Sequence, residues 1–206
     1  HHGLWDYDTP AAPNLIDITV DGREIKAIAQ VTKQGFTYVF DRATGVPVWP
    51  IIERAVPAAT IPGERASPTQ PFPTKPPAFA LQGLTEDDLI DFTPALRAEA
   101  VQRLENFTYG PLFTPPSLPQ GDKRGTVLMP GAGGGANWTG AGIDPESGVL
   151  FVPSRDSATV PRMGTLDGDE SNFNYFRLNF LGVAGPQGLP ILKPPYSTIT
   201  AFDMNS

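Results

Sequence analysis

A strand-turn-strand phrase occurs twice in this chain and begins a third time, at residues 38–49, 142–152 and 199–206. In each complete copy an apolar run meets an aspartate, a Thr or Ser and then a Gly follow, and a second apolar run carries an aromatic side chain. The aspartate can accept backbone N–H bonds inside the turn, and the glycine supplies positive φ. One such hairpin is ordinary β structure, but its recurrence favours an all-β architecture of successive antiparallel blades, as in a β-propeller.

Composition agrees with a β-rich, loop-rich protein and excludes several kinds of site. There are 24 Pro and 21 Gly in 206 residues, yet 40% of residues are hydrophobic, which is too many for a disordered chain. Lysine and arginine total 15 against 22 acids, so nucleic acid is not an expected partner. The absence of cysteine excludes a disulfide framework, a thiolate metal site and a cysteine nucleophile. No apolar run reaches the roughly 18 residues of a membrane span, and no signal peptide is recognisable.

Local signals in the first quarter of the chain predict two hairpins. Residues 15–20 and 24–31 are predicted strands, joined by a tight turn at Asp21-Gly22. Residues 37–40 are predicted to pair with residues 47–49 across the first aspartate-glycine turn.

The long interval between the first two copies of the phrase predicts an insertion. Residues 57–79 are Pro-rich and aperiodic, which indicates an extended surface excursion. Thr85 is a predicted helix N-cap, and Thr93-Pro94 opens a second helix with proline at its first position. That helix carries one apolar stripe at Leu96, Ala100 and Leu104. Strands are predicted again at 125–130 and 148–153, and residues 154–190 are predicted to be loop.

Three stretches could carry chemistry. Residues 131–136 formally fit a dinucleotide fingerprint, but no helical period follows them, so close approach of the backbone to a flat ligand or a neighbouring strand is the better interpretation. Lys33 stands at a predicted strand end, where lysines are most often simply solvated. Residues 1–8 crowd His, Trp and acids together, but their spacing matches no closed zinc set.

Taken together, these and further motifs resemble the pyrroloquinoline-quinone (PQQ)-dependent dehydrogenases, specifically their membrane-associated glucose and polyol branch. They appear in the family's order from end to end of the chain. The motifs are His1-His2-x-Leu4-Trp5-Asp6, Thr32-Lys33-Gln34-Gly35, the Asp41…Gly45…Trp49 hairpin, residues 67–72, residues 113–117, and Asn137-Trp138 ahead of Asp144-Pro145.

The resemblance implies part of an eight-bladed β-propeller, with residues 1–206 as one partial domain and an insertion at about 57–120. It also implies PQQ on the propeller axis beside a divalent cation, usually Ca²⁺. The expected reaction is oxidation of a sugar or alcohol hydroxyl, with electrons passed to a membrane quinone. The expected location is the periplasm, in association with the inner membrane. His1-His2, which alone could be a tag remnant, becomes native sequence.

The resemblance assigns roles to individual residues. Lys33 matches the lysine that hydrogen-bonds the quinone carbonyl region, where an ammonium would stabilise negative charge as hydride arrives. Asn137 matches a cofactor-contacting asparagine, and Trp138 is a plausible wall for the planar ring. Trp49 and Phe151 match aromatics that pack between blades.

One position departs from the family pattern, which reads His-Asp-x-Trp-Asp and uses its first aspartate as catalytic base and cation ligand. Gly3 occupies that position and can serve neither purpose. Asp6 matches the second acid of the pattern, and strand alternation would set Trp5, not Asp6, alongside position 3. Two hypotheses follow: a PQQ-dependent dehydrogenase, or a propeller that keeps the scaffold or ligand binding but has lost oxidation chemistry.

Overall fold

The computed structural model describes residues 1–166 and 171–205, and in these the strands form four antiparallel sheets. Strands β1, β2 and β3 form the first sheet, β4 and β5 the second, β8 and β9 the third, and the order β10-β7-β6 makes the fourth. The strand bounds are β1 Asn14–Val20, β2 Arg23–Val31, β3 Thr37–Asp41, β4 Ile51–Ala55, β5 Thr69–Pro73, β6 Gly142–Asp144, β7 Val149–Arg155, β8 Thr159–Thr165, β9 Tyr175–Gly182 and β10 Ser197–Asp203. One α-helix, α1, spans Pro94–Leu104, and short 3₁₀ helices span Glu86–Asp88 and Pro186–Gly188.

The first hairpin forms where the sequence predicts it. Val20 pairs with Arg23, which leaves Asp21 and Gly22 as a two-residue loop with φ values of 49° and 72°. Positive φ at both positions matches a type I′ turn, whose twist suits the flanking strands. Alternate residues of β1 and β2 are buried, so one face of this sheet supplies a core and the other faces solvent.

The repeated aspartate-glycine turns have the same construction. The Asp41 carboxylate accepts the N–H of Ala43 at 2.8 Å, and the Asp144 carboxylate accepts the N–H of Glu146 at 3.1 Å. In both turns the glycine donates its N–H to the aspartate carbonyl and has φ near 75°, at 76° for Gly45 and 74° for Gly148. The Ser147 hydroxyl, and after it the Glu146 N–H, donate hydrogen bonds to the Asp144 carboxylate and lower its pKa. The prediction that each complete copy of the repeat forms a turn with an aspartate acceptor and a positive-φ glycine is confirmed.

Two of the sheets pack on each other through the first hydrophobic core. Buried side chains of β1, β2 and β3 meet those of β7 and β10, and Trp49 packs against them while half-buried. Trp49 therefore packs on the core shared by the first and fourth sheets, although it is less buried than expected. Phe151 projects from the opposite face of β7 and is 43% exposed, so its expected packing between blades does not occur within the described residues.

Helix α1 begins as predicted, because Thr93 caps it and proline occupies its first turn. The Thr93 hydroxyl accepts the N–H of Leu96 at 3.2 Å. Ala100 and Leu104 are buried, and they join Leu84, Leu89, Ile90 and neighbouring apolar residues in a second core. No helix among the described residues is long and apolar enough to cross a membrane.

Three expectations about loops and strands were wrong. The excursion predicted at 57–79 contains β5, whose prolines Pro71 and Pro73 are tolerated because each strand of a two-stranded sheet is an edge. Residues 154–190, predicted as loop, hold the β8–β9 hairpin, whose period is obscured by Pro161 and by a bulge between Arg162 and Met163. Residues 125–130 form isolated bridges and no strand.

The paired turns give a matched test of backbone strain against packing. A Cβ on Gly45 would meet nothing, whereas a Cβ on Gly148 would collide with Asn205 Nδ2. Asn205 is held there because its Oδ1 accepts the Thr19 N–H and its Nδ2 donates to the Ser147 carbonyl. We expect Gly45→Ala to cost about 1–2 kcal/mol from positive φ alone. Gly148→Ala should cost about 1 kcal/mol more through the lost hydrogen bonds. Thermal unfolding of both variants in the full-length protein measures this, and equal losses would contradict it.

Candidate functional site

Lys33 lies at the tip of the hairpin between β2 and β3 and is only 6% exposed. Its Nζ donates to the Asp6 carbonyl oxygen at 2.9 Å, to Asp6 Oδ2 at 3.2 Å and to Asp8 Oδ2 at 2.9 Å. All three ammonium donors therefore have an acceptor, as a buried charge requires. The site is a buried cation held by the N-terminal segment.

The electrostatics keep this ammonium charged. Burial by itself lowers the pKa of Lys33, but hydrogen bonds and charges from Asp8 and Asp6 outweigh it and raise the pKa above its ordinary value. Lys33 is therefore protonated at neutral pH. It can act as a fixed positive charge and a hydrogen-bond donor.

Asp6 stands between two cations. Its Oδ2 accepts from Lys33, and its Oδ1 lies 3.4 Å from an Arg177 guanidinium nitrogen on β9. Arg177 also lies 4.2 Å above the ring of Phe180, which limits where the guanidinium can go. Asp6 has a φ of 62°, a left-handed conformation that aspartate tolerates better than most residues. The backbone turn brings both the carbonyl and the carboxylate of Asp6 to one ammonium.

An aromatic cluster fixes the segment that carries Asp6 and Asp8. Trp5 is buried, and its Nε1 donates to the Thr114 carbonyl at 2.9 Å. The Tyr7 hydroxyl donates to the Pro130 carbonyl at 2.6 Å, and burial raises the pKa of this phenol. Both rings contact Phe113 edge-on, at 5.0 and 6.0 Å between centroids. Asp6, which lies between these two anchors, therefore has little freedom.

The glycine-rich stretch 131–136 packs against Lys33 and is not followed by a helix. Gly135 donates its N–H to the Lys33 carbonyl at 2.8 Å. A Cβ on Gly134 would lie 2.5 Å from the Lys33 side chain, and one on Gly135 would lie 2.6 Å from Ala80 Cβ. Of the two uses expected for these glycines, close approach to a neighbouring strand end is the one observed. The helix that a dinucleotide fingerprint requires does not form after these glycines.

Asn137 and Trp138 follow the glycine stretch but lie away from the Lys33 ammonium group. Asn137 Nδ2 donates to the Gly133 carbonyl at 2.8 Å, and its Oδ1 accepts the Trp138 N–H at 2.9 Å. Asn137 lines a cavity of about 560 Å³ with Arg155 and Thr198, and Lys33 does not line it. The Trp138 side chain is 80% exposed. The glycine-rich stretch contacts both Lys33 and Asn137 through its backbone. The side chains of Lys33, Asn137 and Trp138, however, do not line a common cavity.

Position 3 is oriented towards the indole of Trp5. A Cβ on Gly3 would lie 3.4 Å from Trp5 Cε3, so Trp5 is alongside position 3, as expected. The segment is irregular, however, so this contact does not come from strand alternation. The acids that reach Lys33 are Asp6 and Asp8, which sequence reasoning passed over. Their spacing from Lys33 gave no signal, because the chain folds back through the left-handed turn at Asp6.

Two cavities meet at Asp6 and Gly3. The Gln34 cavity, of about 240 Å³, is lined by polar groups that include Asp6, Asp8, Gln34 and Gln70. Gln34 Oε1 is buried there without a hydrogen-bond partner in the described structure, which marks a place for a donor. The Arg177 cavity, of about 380 Å³, lies on the other side and is lined by Asp6, Arg177, Glu64 and apolar residues. No three His, Cys, Asp or Glu side chains in residues 1–166 and 171–205 are grouped to hold a metal ion.

Comparison with known proteins places this chain in a family. The model described as "PQQ: Glucose/ethanol/alcohol dehydrogenase, beta-propeller domain" matches residues 1–206. The glycerol dehydrogenase large subunit of Gluconobacter thailandicus is 32% identical over 99% of this chain and 31% of its own length. The quinoprotein glucose dehydrogenase of Escherichia coli is 30% identical over all of this chain and 28% of its own length. Quinate/shikimate dehydrogenase (quinone) of Acinetobacter baylyi is 30% identical over 100% and 27%.

A solved structure, titled europium-containing methanol dehydrogenase, aligns with 97% of this chain and 27% of its own at a TM-score of 0.47 and 20% identity. The chain spans less than a third of the length of the curated relatives described above. The family match covers every residue, and the antiparallel sheets are consistent with part of a propeller. The chain belongs to the PQQ-dependent glucose/ethanol/alcohol dehydrogenase β-propeller family.

Proposed function

We propose that the full-length protein is a PQQ-dependent dehydrogenase that oxidises a sugar or alcohol hydroxyl and passes the electrons to a membrane quinone. The observation that carries the proposal is the buried Lys33 ammonium, paired with Asp6 at the junction of two cavities. A charged donor and a carboxylate side by side supply electrostatic stabilisation and a base in one place.

The residues around the Gln34 cavity suit the quinone cofactor. Asp6 and Asp8 line this cavity and are paired with the Lys33 ammonium just outside it, and the unpartnered Gln34 Oε1 offers an acceptor. PQQ would supply, when bound, the two-electron acceptor for the oxidation. Asn137 and Trp138 are proposed as further cofactor contacts on the family resemblance alone, because Asn137 lines a separate cavity and the Trp138 indole is exposed. A Ca²⁺ ion does not fit the described residues by themselves, since Asp6 and Asp8 offer only two carboxylates, so no step is routed through it.

Lys33 and Asp6 have different roles in the proposed reaction. The Lys33 ammonium stabilises negative charge that develops beside it, at low solvent exposure where the interaction is strong. Asp6 takes the proton of the substrate hydroxyl, because its carboxylate faces both cavities. All three donors of Lys33 are engaged, so a ligand oxygen must replace one acceptor. Asp8 is the acceptor that yields, because its side chain is 67% exposed and can be solvated instead.

The second hypothesis, a propeller without oxidation chemistry, depends on Gly3 occupying the position of the family's base. The contact of Asp6 with Lys33 weakens that argument, because an acid stands beside the lysine whatever residue occupies position 3. We therefore favour the dehydrogenase. A periplasmic location at the inner membrane belongs to the same proposal, and it follows from the resemblance to membrane-associated members of the family.

The role of Lys33 is tested by Lys33→Ala, with Lys26→Ala on the exposed face of β2 as the control. In the full-length holoenzyme we expect turnover to fall by about 100-fold or more, as for loss of one oxyanion donor. Cofactor affinity should fall far less, because the charge matters most in the transition state. Dye-reduction kinetics and PQQ titration measure the two quantities. Unchanged turnover would assign Lys33 to structure alone.

The identity of the base is tested by Asp6→Asn and Gly3→Asp in the same holoenzyme. Asp6→Asn should lower kcat by about 100-fold or more, because an amide cannot take the proton. Gly3→Asp should change turnover little, because Asp6 already places a carboxylate beside the Lys33 ammonium. Asp17→Asn, which disturbs only a surface pair with Arg42, is the control. A joint rise in turnover and Ca²⁺ affinity in Gly3→Asp would instead assign the base to position 3.

A further inference from the structure

We propose that a cavity outside the Lys33 site binds a small amphipathic organic anion, in which an oxyanion head is joined to an apolar body. This Arg162 cavity has a volume of about 670 Å³ and lies between the β8–β9 hairpin and the segment that follows helix α1. A volume of that size falls within the usual range of roughly 300–1,000 Å³ for small-molecule sites.

Positive charge is concentrated around this cavity. The cationic side chains that line it are Arg103, Lys123, Arg124 and Arg162. No acidic side chain lines it in the part of the chain that the structure describes, and Glu105 and Asp122, which are close in sequence, lie outside its wall. The whole chain has only 15 such cations and a net charge of −7, so four of them around one cavity stand out from the composition. An anion bound among them relieves their mutual repulsion.

Two of these cations are already engaged and two are available to a ligand. Arg103 donates from Nε and Nη2 to Glu99 Oε1, at 3.0 and 2.8 Å. Lys123 donates from Nζ to two backbone carbonyls, at 2.6 and 3.0 Å, which fixes the position of its charge. The side chains of Arg124 and Arg162 have no hydrogen bond or ion pair within residues 1–166 and 171–205. They are the groups that would hold the oxyanion.

Backbone packing brings the two available arginines to the same cavity. A Cβ on Gly125, the residue after Arg124, would lie 3.2 Å from Val160 Cγ1 and 3.8 Å from the Pro161 carbonyl oxygen. The chain that carries Arg124 therefore packs against β8 immediately before Arg162. Guanidinium groups bind carboxylate and phosphate oxygens through paired, charge-assisted hydrogen bonds, so both kinds of oxyanion suit this pair.

The wall supplied by β9 is apolar and exposed. Leu178 and Leu181 line the cavity and are 54% and 44% exposed. The register of the hairpin shifts between Arg162 and Met163, which leaves Leu178 as the extra residue of β9 in a bulge. An inorganic anion would leave these leucines in water, whereas an apolar body attached to the anion would cover them. The leucines thus favour an amphipathic ligand over a bare ion.

The Arg162 cavity is separate from the Arg177 cavity, although Met163 lines both. Asp6 and Arg177 line only the Arg177 cavity. Arg124 and Leu178 line only the Arg162 cavity. Binding of an anion there therefore does not depend on the proposed dehydrogenase chemistry.

The test is binding of octanoate and of octyl phosphate to the full-length holoenzyme, measured by calorimetry without a turnover assay. Octanamide supplies the apolar chain without the charge, and acetate and inorganic phosphate supply the charge without the chain. The tighter of the two anionic amphiphiles should bind at least about tenfold more tightly than all three controls, and its head identifies the oxyanion. Equal binding of octanamide, or no binding of either amphiphile, would overturn the proposal.

The arginine is tested by Arg162→Gln and Arg162→Lys, with Arg23→Gln as the matched control. Arg23 is also an exposed strand arginine without a side-chain partner in the described ranges, and it does not line the cavity. Arg162→Gln should weaken binding of the amphiphile about tenfold, and Arg162→Lys should restore part of it. Unchanged affinity in Arg162→Gln, or an equal loss in Arg23→Gln, would contradict the assignment.

The apolar wall is tested by Leu178→Ser, with Leu15→Ser as the control, since Leu15 is an exposed strand leucine outside the cavity. Leu178→Ser should weaken binding of the amphiphile several-fold, because less apolar surface is covered. A lipid surface is the alternative source of such a ligand. Binding to phosphatidylglycerol vesicles that is lost in Arg162→Gln, without binding of either free amphiphile, would replace the small-molecule site with a membrane contact.

Discussion

The buried ammonium of Lys33 is the constraint around which the rest of this structure is organised. An unpaired charge at 6% exposure would cost several kcal/mol, so the fold must bring acceptors to it. The acceptors come from a segment almost 30 residues earlier in sequence, and delivering them requires the left-handed turn at Asp6. The glycine-rich stretch closes over the lysine from the other side, because only residues without a Cβ fit against its stem.

The aromatic cluster makes this arrangement durable. The N-terminal segment has no strand or helix of its own, so no regular ladder of backbone hydrogen bonds holds it. Trp5 and Tyr7 hold the segment instead. Their rings pack against Phe113, and their polar atoms donate hydrogen bonds to carbonyls of distant loops. The catalytic candidates thus lie on irregular chain held by packing, which is a common way for loops to carry function.

Sequence patterns predicted the parts of the fold that depend on local chemistry. The Asp21-Gly22 hairpin, the two aspartate-glycine turns and the Thr93 cap each require particular residues at short spacing, so the sequence alone predicts each of them. The β8–β9 hairpin was missed, because a proline and a bulge conceal its alternation. Asp6 was passed over for a different reason. Its pairing with Lys33 depends on how the chain folds back, and no local periodicity encodes that.

The pair between Asp6 and Arg177 joins residues 171 positions apart in sequence. Closing a loop of that length costs somewhat more entropy than closing the 27 positions between Asp6 and Lys33. Both contacts nevertheless depend on the same distant anchors, because Trp5 and Tyr7 fix the Asp6 segment on residues 113, 114 and 130. Arg177 belongs to the β8–β9 hairpin, so loosening that hairpin would free the outer side of the Asp6 carboxylate and leave its contact with Lys33 in place.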